Sequence, residues 1–188
     1  MNPYTFRSFG FALLINVIVF LIGASAAVYF HRWPLPTDPL DKLTLIANDR
    51  VGWTAQAVLF LVAYLATAVL FALIAAKLPH SRWLAVGAVL FLVVGFLFWL
   101  PISIGRLQLG AKAAELISTY DPTTPPEVMV NRSWLFWANT LCILAALALM
   151  GAALAVAGVL PTLGWVVMGT AVASAIIGAL FWGDCRHS

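Results

Sequence analysis

Residues 51–76 read VGWTAQAVLFLVAYLATAVLFALIAA, a run with no Asp, Glu, Lys, Arg or His. A helix of about 20 apolar residues crosses a hydrocarbon core of about 30 Å, so this run is long enough to span a bilayer. It is continuously apolar and rich in Ala and Leu, without the in-and-out alternation of a barrel strand, so it predicts a helix. Four further runs of the same character lie on either side, at about 10–30, 83–102, 134–158 and 162–182. The chain therefore predicts an all-α polytopic membrane helix bundle of about five transmembrane helices. It reads as a single membrane-embedded domain, 1–188, with structured loops at 31–50 and 103–133.

Composition agrees with that reading. Of 188 residues, 63% are apolar and 9% are charged, whereas roughly a quarter of a soluble domain is charged. So few charges cannot cover a water-facing surface, and membrane lipid is the expected surrounding. The ten Lys and Arg are scattered singly against seven Asp and Glu, which gives no support to nucleic-acid binding.

Arg7 precedes the first run, which passes through Ala24-Ser25-Ala26, the small-x-small pattern of a signal-peptidase site. Val28, Tyr29 and Phe30 prolong the apolar stretch, so retention as a span is predicted. Trp33-Pro34-Leu35-Pro36 then stiffens the exit. Asp38 before Pro39 is a good N-cap and N1 pair, and Leu40, Leu43 and Ala47 recur at helical spacing, predicting a short interfacial helix from Asp38 to about Asn48. Lys77 to Arg82 is a tight basic turn. Beyond the third span, Arg106 to Tyr120 keeps good helix formers and a Lys112–Glu115 pair, so a bent or continuous helix should project into water and end at Asp121-Pro122. Thr123 to Pro126 is a stiff return, and Asn131-Arg132-Ser133 matches a glycosylation sequon of a kind common by chance. The short link Gly158 to Pro161 forces an antiparallel hairpin.

Charge is unevenly divided between the two sides. All seven acids, Asp38, Asp41, Asp49, Glu115, Asp121, Glu127 and Asp184, fall on the side of the long loops, while Arg7, Lys77 and Arg82 share the other with no acid. The raw Lys and Arg count, three against seven, would place the long loops in the cytoplasm. The signal-like first span and the purely basic second loop weigh the other way, and a cytoplasmic N-terminus is the expectation.

No ionisable residue lies in the middle of any predicted span. A charge there costs on the order of 2.5–3.5 kcal/mol and is kept only for use, so ion-coupled transport and voltage sensing are disfavoured. Cys142 and Cys185 form neither a disulfide framework nor a metal spacing. His31, His80 and His187 sit at span ends or in the tail, which argues against a bis-histidine haem site. Asp184, Cys185 and His187 are the one cluster of metal-ligand types, and in a terminal tail they read as solvated, so no metal site is predicted. There is no Ser-His-Asp arrangement, phosphate loop or paired carboxylate, and no catalytic residue is assigned. Asp38, Asp41, Asp49, Arg50, Arg106 and Glu115 are spaced like surface residues.

The polar residues inside the spans, including Asn16, Gln56, Tyr64, Thr67 and Asn139, read as structural bridges between helices. Trp33, Trp53, Trp99, Trp134 and Trp182 mark one interface and Trp83 and Trp165 the other. Phe96, Phe98, Trp99, Trp134, Phe136, Trp137, Phe181 and Trp182 cluster at one end. Belt and packing account for them, while a lipid-soluble pigment or quinone is the ligand they would suit, with His31, Trp99, Trp137 and Asn139 as candidate cofactor-binding residues. Small residues recur at i, i+4, as Gly23 and Ala27, Ala68, Ala72 and Ala76, Gly151 and Ala155, Gly169 and Ala173, and Ser174 and Gly178. Such stripes let helices approach closely, inside the bundle or against a neighbour.

A capped segment reading Leu43-Thr44-Leu45-Ile46-Ala47-Asn48-Asp49 before a long span, and a final hairpin through Leu160-Pro161-Thr162-Leu163-Gly164-Trp165, resemble an uncharacterised bacterial family of small multi-span membrane proteins, a domain of unknown function. Members commonly have about six spans, against five here. The resemblance implies a bacterial inner-membrane location and carries no reaction or catalytic residue. The functional expectation is a non-enzymatic accessory or scaffold subunit, packing against other membrane protein subunits or lipid-soluble cofactors. The alternative is a carrier for an apolar small molecule such as a lipid, quinone or pigment, with a cavity lined by Tyr64, Asn139 and the aromatics.

Overall fold

The structure, a computed structural model, describes residues 3–28, 36–121 and 133–182. Among the described residues it is all α, with six α-helices: α1 (Pro3–Ala26), α2 (Pro39–Asn48), α3 (Arg50–Ala75), α4 (Arg82–Ser118), α5 (Ser133–Val156) and α6 (Pro161–Trp182). Five of them, all but α2, are long and apolar enough to cross a membrane. The chain is a multi-span membrane protein.

The boundaries of α3, α5 and α6 follow the apolar runs closely. Helix α1 begins at Pro3 rather than Gly10, because proline suits the first helical position, where its missing N–H has no partner to lose. The predicted end of that span at Phe30 lies outside the described residues. Helix α4 is continuous over 37 residues and takes up both the third span and the segment predicted to project from it. Pro101 lies inside it and removes one backbone hydrogen bond, but the Leu, Ala, Lys and Glu that follow are good helix formers and carry it on to Ser118.

Local signals set the ends. Asp38 takes an extended backbone and its carboxylate accepts the Asp41 N–H at 3.0 Å, capping α2 with Pro39 at N1. Leu43 and Ile46, on the inner face of α2, are buried with Ala27, Trp53, Leu109 and Ala113 in one apolar cluster, flanked by Leu116, Ile117 and Tyr120. Between α3 and α4 the basic turn tightens into a single 3-10 turn, Pro79–Ser81. Helix α5 ends in a Schellman motif, with the Val159 N–H bonded to the Leu154 carbonyl at 3.3 Å and the Gly158 N–H to that of Ala155 at 3.1 Å. Gly158 has φ +67°, where a side chain would be strained.

The chain divides into two compact units, one from Gly10–Thr67 with Trp99–Ser133, the other from Met1–Phe9 with Ala68–Phe98 and Trp134–Ser188. In the first, α1 and α3 run antiparallel. Asn16 Nδ2 donates to the Ala63 carbonyl at 3.0 Å and to Thr67 Oγ1 at 2.7 Å, the Phe20 and Phe60 rings stack at 4.9 Å, and a Cβ on Gly23 would meet Leu59 Cβ at 2.9 Å. In membranes such interhelical hydrogen bonds contribute about 0.6 kcal/mol each on average. Gly23 thus serves internal packing, as does the crossing of α5 with α6.

In the second unit, Ser81 Oγ donates to the Ala153 carbonyl at 2.8 Å, a Gly87 Cβ would touch Leu149 at 3.3 Å, and the Phe98 and Trp134 rings meet edge-on at 6.1 Å. Those pairs run antiparallel, from the turn before α4 and along α4 on one side and along α5 on the other. Helices α5 and α6 form the predicted antiparallel hairpin. Gly151 and Gly164 face each other so closely that a Cβ on either would lie within 2.7 Å of the other's carbonyl oxygen. Higher up, Gly178 makes room for the Trp137 ring, 3.3 Å from its Cβ position.

Candidate functional site

Trp53, Gln56 and Phe60 recur at i, i+3 and i+7, so they share one face of α3. Trp99, Ser103, Arg106 and Gly110 recur at i, i+4, i+7 and i+11 and share one stripe of α4. These helix segments pack antiparallel, which sets the pairs. The Trp53 indole fills the space where a Gly110 side chain would stand, 2.8 Å from its Cβ position. Gln56 lies opposite Arg106, and the Phe60 and Trp99 rings meet at 6.0 Å.

The centre of this face is polar. Gln56 is 1% exposed and satisfies groups on two other helices: its Nε2 donates to the Ala24 carbonyl of α1 at 3.2 Å, and its Oε1 accepts from Arg106 Nη2. The guanidinium carbon of Arg106 sits 4.6 Å from the centre of the Trp53 ring, a cation–π contact. Trp53 Nε1 in turn donates to the Arg106 carbonyl at 2.8 Å. Asp49 closes the outer end. Its Oδ2 accepts the Val28 N–H at 2.6 Å and its Oδ1 that of Gly52 at 3.3 Å, tying the exit of α1 to the first turn of α3, where a negative charge also suits the helix dipole. Ser103, one turn further into the bundle than Arg106, is 0% exposed, and its hydroxyl makes no hydrogen bond within the protein.

Several expectations change here. Asp49 and Arg106, spaced like surface residues, are built into the helix contacts, because α4 continues past its apolar run and carries Arg106 back onto the stripe that faces α3. Trp53 and Trp99, assigned to the interfacial belt, are only 6% and 9% exposed, since each has a partner on the facing helix. Trp83, Trp134 and Trp165 are exposed, as belt residues are. The missed signal was periodicity: continuing the i, i+4, i+7 count from Trp99 through Pro101 reaches Arg106.

His31 lies outside the described residues. Trp99 packs on Phe60 in the unit that also holds Tyr64, whereas Trp137 and Asn139 belong to the other unit. There Trp137 covers Gly178 and meets Phe136 edge-on at 6.3 Å, and Asn139 is 4% exposed with no hydrogen bond to its Oδ1. The side chains of Phe181 and Trp182, and the tail with Asp184, Cys185 and His187, lie outside the described residues. Chemically, the α3–α4 face holds a cation in a fixed direction among neutral hydrogen-bonding groups and aromatic rings, an arrangement suited to positioning and binding.

Compared with known proteins, the chain matches no family model, no curated sequence and no solved structure.

Proposed function

We propose that this membrane protein is a non-enzymatic accessory or scaffold subunit whose outward helix faces seat other membrane protein subunits. The observation that carries the reading is on α6. Its inner glycine, Gly164, is taken up against α5, while Gly169 is exposed with no atom within 4 Å of its Cβ position. Ala173, one turn on, is exposed as well. Association of helices in lipid is driven by close packing rather than by a hydrophobic gain, and small residues on a free face permit it.

Purification in mild detergent, with identification of every protein and lipid-soluble molecule that comes along, tests the proposal. A stoichiometric protein partner is expected. Gly169→Ile should weaken its retention about fivefold, equivalent to about 1 kcal/mol of helix packing. Recovery of a monomer alone, or of a stoichiometric quinone, pigment or lipid without a protein, would overturn the reading; the latter outcome favours a carrier.

We further infer that the N-terminus faces the cytoplasm, on the strength of Arg7, Lys77 and Arg82 on the side without acids. An impermeant thiol reagent applied to intact cells should then label Cys185, with Cys142 replaced by serine. Labelling only after lysis would reverse the orientation.

A further inference from the structure

The stripe that carries Arg106 continues inward to Ser103, and the hydrogen-bond inventory there is incomplete. By helical spacing Ser103 faces α3 between the levels of Gln56 and Phe60, because Arg106 meets Gln56 and Trp99 meets Phe60 on the same stripe. Its hydroxyl can donate and accept, and makes no bond even to the carbonyls of its own helix. Gln56 presents two amide hydrogens, of which Ala24 takes one. Two buried groups with unused hydrogen-bonding capacity therefore lie on facing stripes about one turn apart. Beneath them the Phe60 and Trp99 rings meet at 6.0 Å and form an aromatic floor. Above them Arg106 is half-buried, with its guanidinium against Gln56 and the Trp53 ring.

We propose that the Ser103–Gln56–Arg106 stripe is a water-binding site, in which a short file of bound water enters along the guanidinium and ends at the Ser103 hydroxyl. Buried polar groups in folded proteins are met by protein partners or by ordered water, and a buried water uses about two to four polar partners. The hydroxyl, the free amide hydrogen and the guanidinium supply that number. The water extends the polar surroundings of the charge inward by one turn, and the aromatic floor stops it there. The ligand class is water itself, so this site is independent of whether α6 seats a partner subunit.

Single-cysteine chains in membrane vesicles provide the test, with Cys142 and Cys185 replaced by serine. A small water-soluble methanethiosulfonate reacts with the thiolate, which forms where water reaches. Ser103→Cys should therefore react about tenfold faster than Ala63→Cys, a buried position of the same unit beyond the aromatic floor. Equal rates at the two positions would overturn the proposal. Radiolytic labelling of the unsubstituted chain in isotopically heavy water gives a second measurement that needs no cysteine. Oxygen uptake at the Trp99 ring should fall about threefold in Ser103→Val, which removes the hydroxyl that holds the water. Unchanged uptake would overturn it too.

Discussion

Replacing Gln56 with leucine is expected to destabilise the protein by about 2–4 kcal/mol, the largest loss from any polar substitution in the bundle. The volume is nearly conserved, so the effect comes from hydrogen bonds rather than a cavity. The bond to the Ala24 carbonyl contributes about 1 kcal/mol, and the one from the Arg106 guanidinium about 1.5–3 kcal/mol because one partner is charged. The variant also leaves a half-buried cation without its neutral partner, which costs more than removing both. Arg106→Met should therefore cost less than Gln56→Leu. The double variant should be more stable than the sum of the two single losses predicts, by about 1–2 kcal/mol. Unfolding in mixed micelles, followed by tryptophan fluorescence, measures all four corners of the cycle. Losses that add within about 0.3 kcal/mol would mean that the two side chains act independently.

The second large effect lies at the crossing of α5 and α6. A Cβ on Gly164 would stand 2.5 Å from the Gly151 carbonyl oxygen, 2.7 Å from the Ala155 nitrogen and 2.9 Å from the Ala155 Cβ. Two of those atoms belong to the backbone, so no side-chain rotation relieves the clash, and the helices have to separate along the hairpin. Gly164→Ala should cost about 2–3 kcal/mol, and Gly164→Leu should prevent the native crossing. Gly169→Ala on the outward face is the matched control. With nothing within 4 Å of its Cβ position, it gains helix propensity of up to about 1 kcal/mol and should be neutral or stabilising. Thermal inactivation in detergent distinguishes the two glycines, and equal behaviour would show that the close crossing does not limit stability.

How much could be read from the residues alone differs between spans and site. Long apolar runs leave a helix no choice in lipid, because every backbone group needs an internal partner, and so α3, α5 and α6 are placed within a residue or two of their runs. The cap at Asp38 and the turn at Gly158 were legible for the same local reason. Neither reading required knowledge of another helix. Arg106 and Asp49 were misread because their significance depends on what stands opposite. Arg106 follows an apolar run in sequence and looks solvated, but the antiparallel register of α3 and α4 puts Gln56 against it. Trp53 and Trp99 illustrate the same point, since a tryptophan at a span end satisfies a belt pattern whether or not a neighbouring helix covers it. The small-residue stripes were visible as a pattern, yet only the facing helix separates Gly164, which is used, from Gly169, which is open.

The bond between Arg106 and Gln56 joins positions 50 residues apart in sequence, and this gives the cluster a history as well as a geometry. At about 5–20 residues per second of synthesis, Gln56 emerges roughly 2.5–10 s before the arginine, and its Ala24 acceptor earlier still. During that interval α1 and α3 can form their antiparallel contact while one face of Gln56 waits. The last arrival closes the joint, so the Gln56 amide oxygen stays without its partner until α4 is in place.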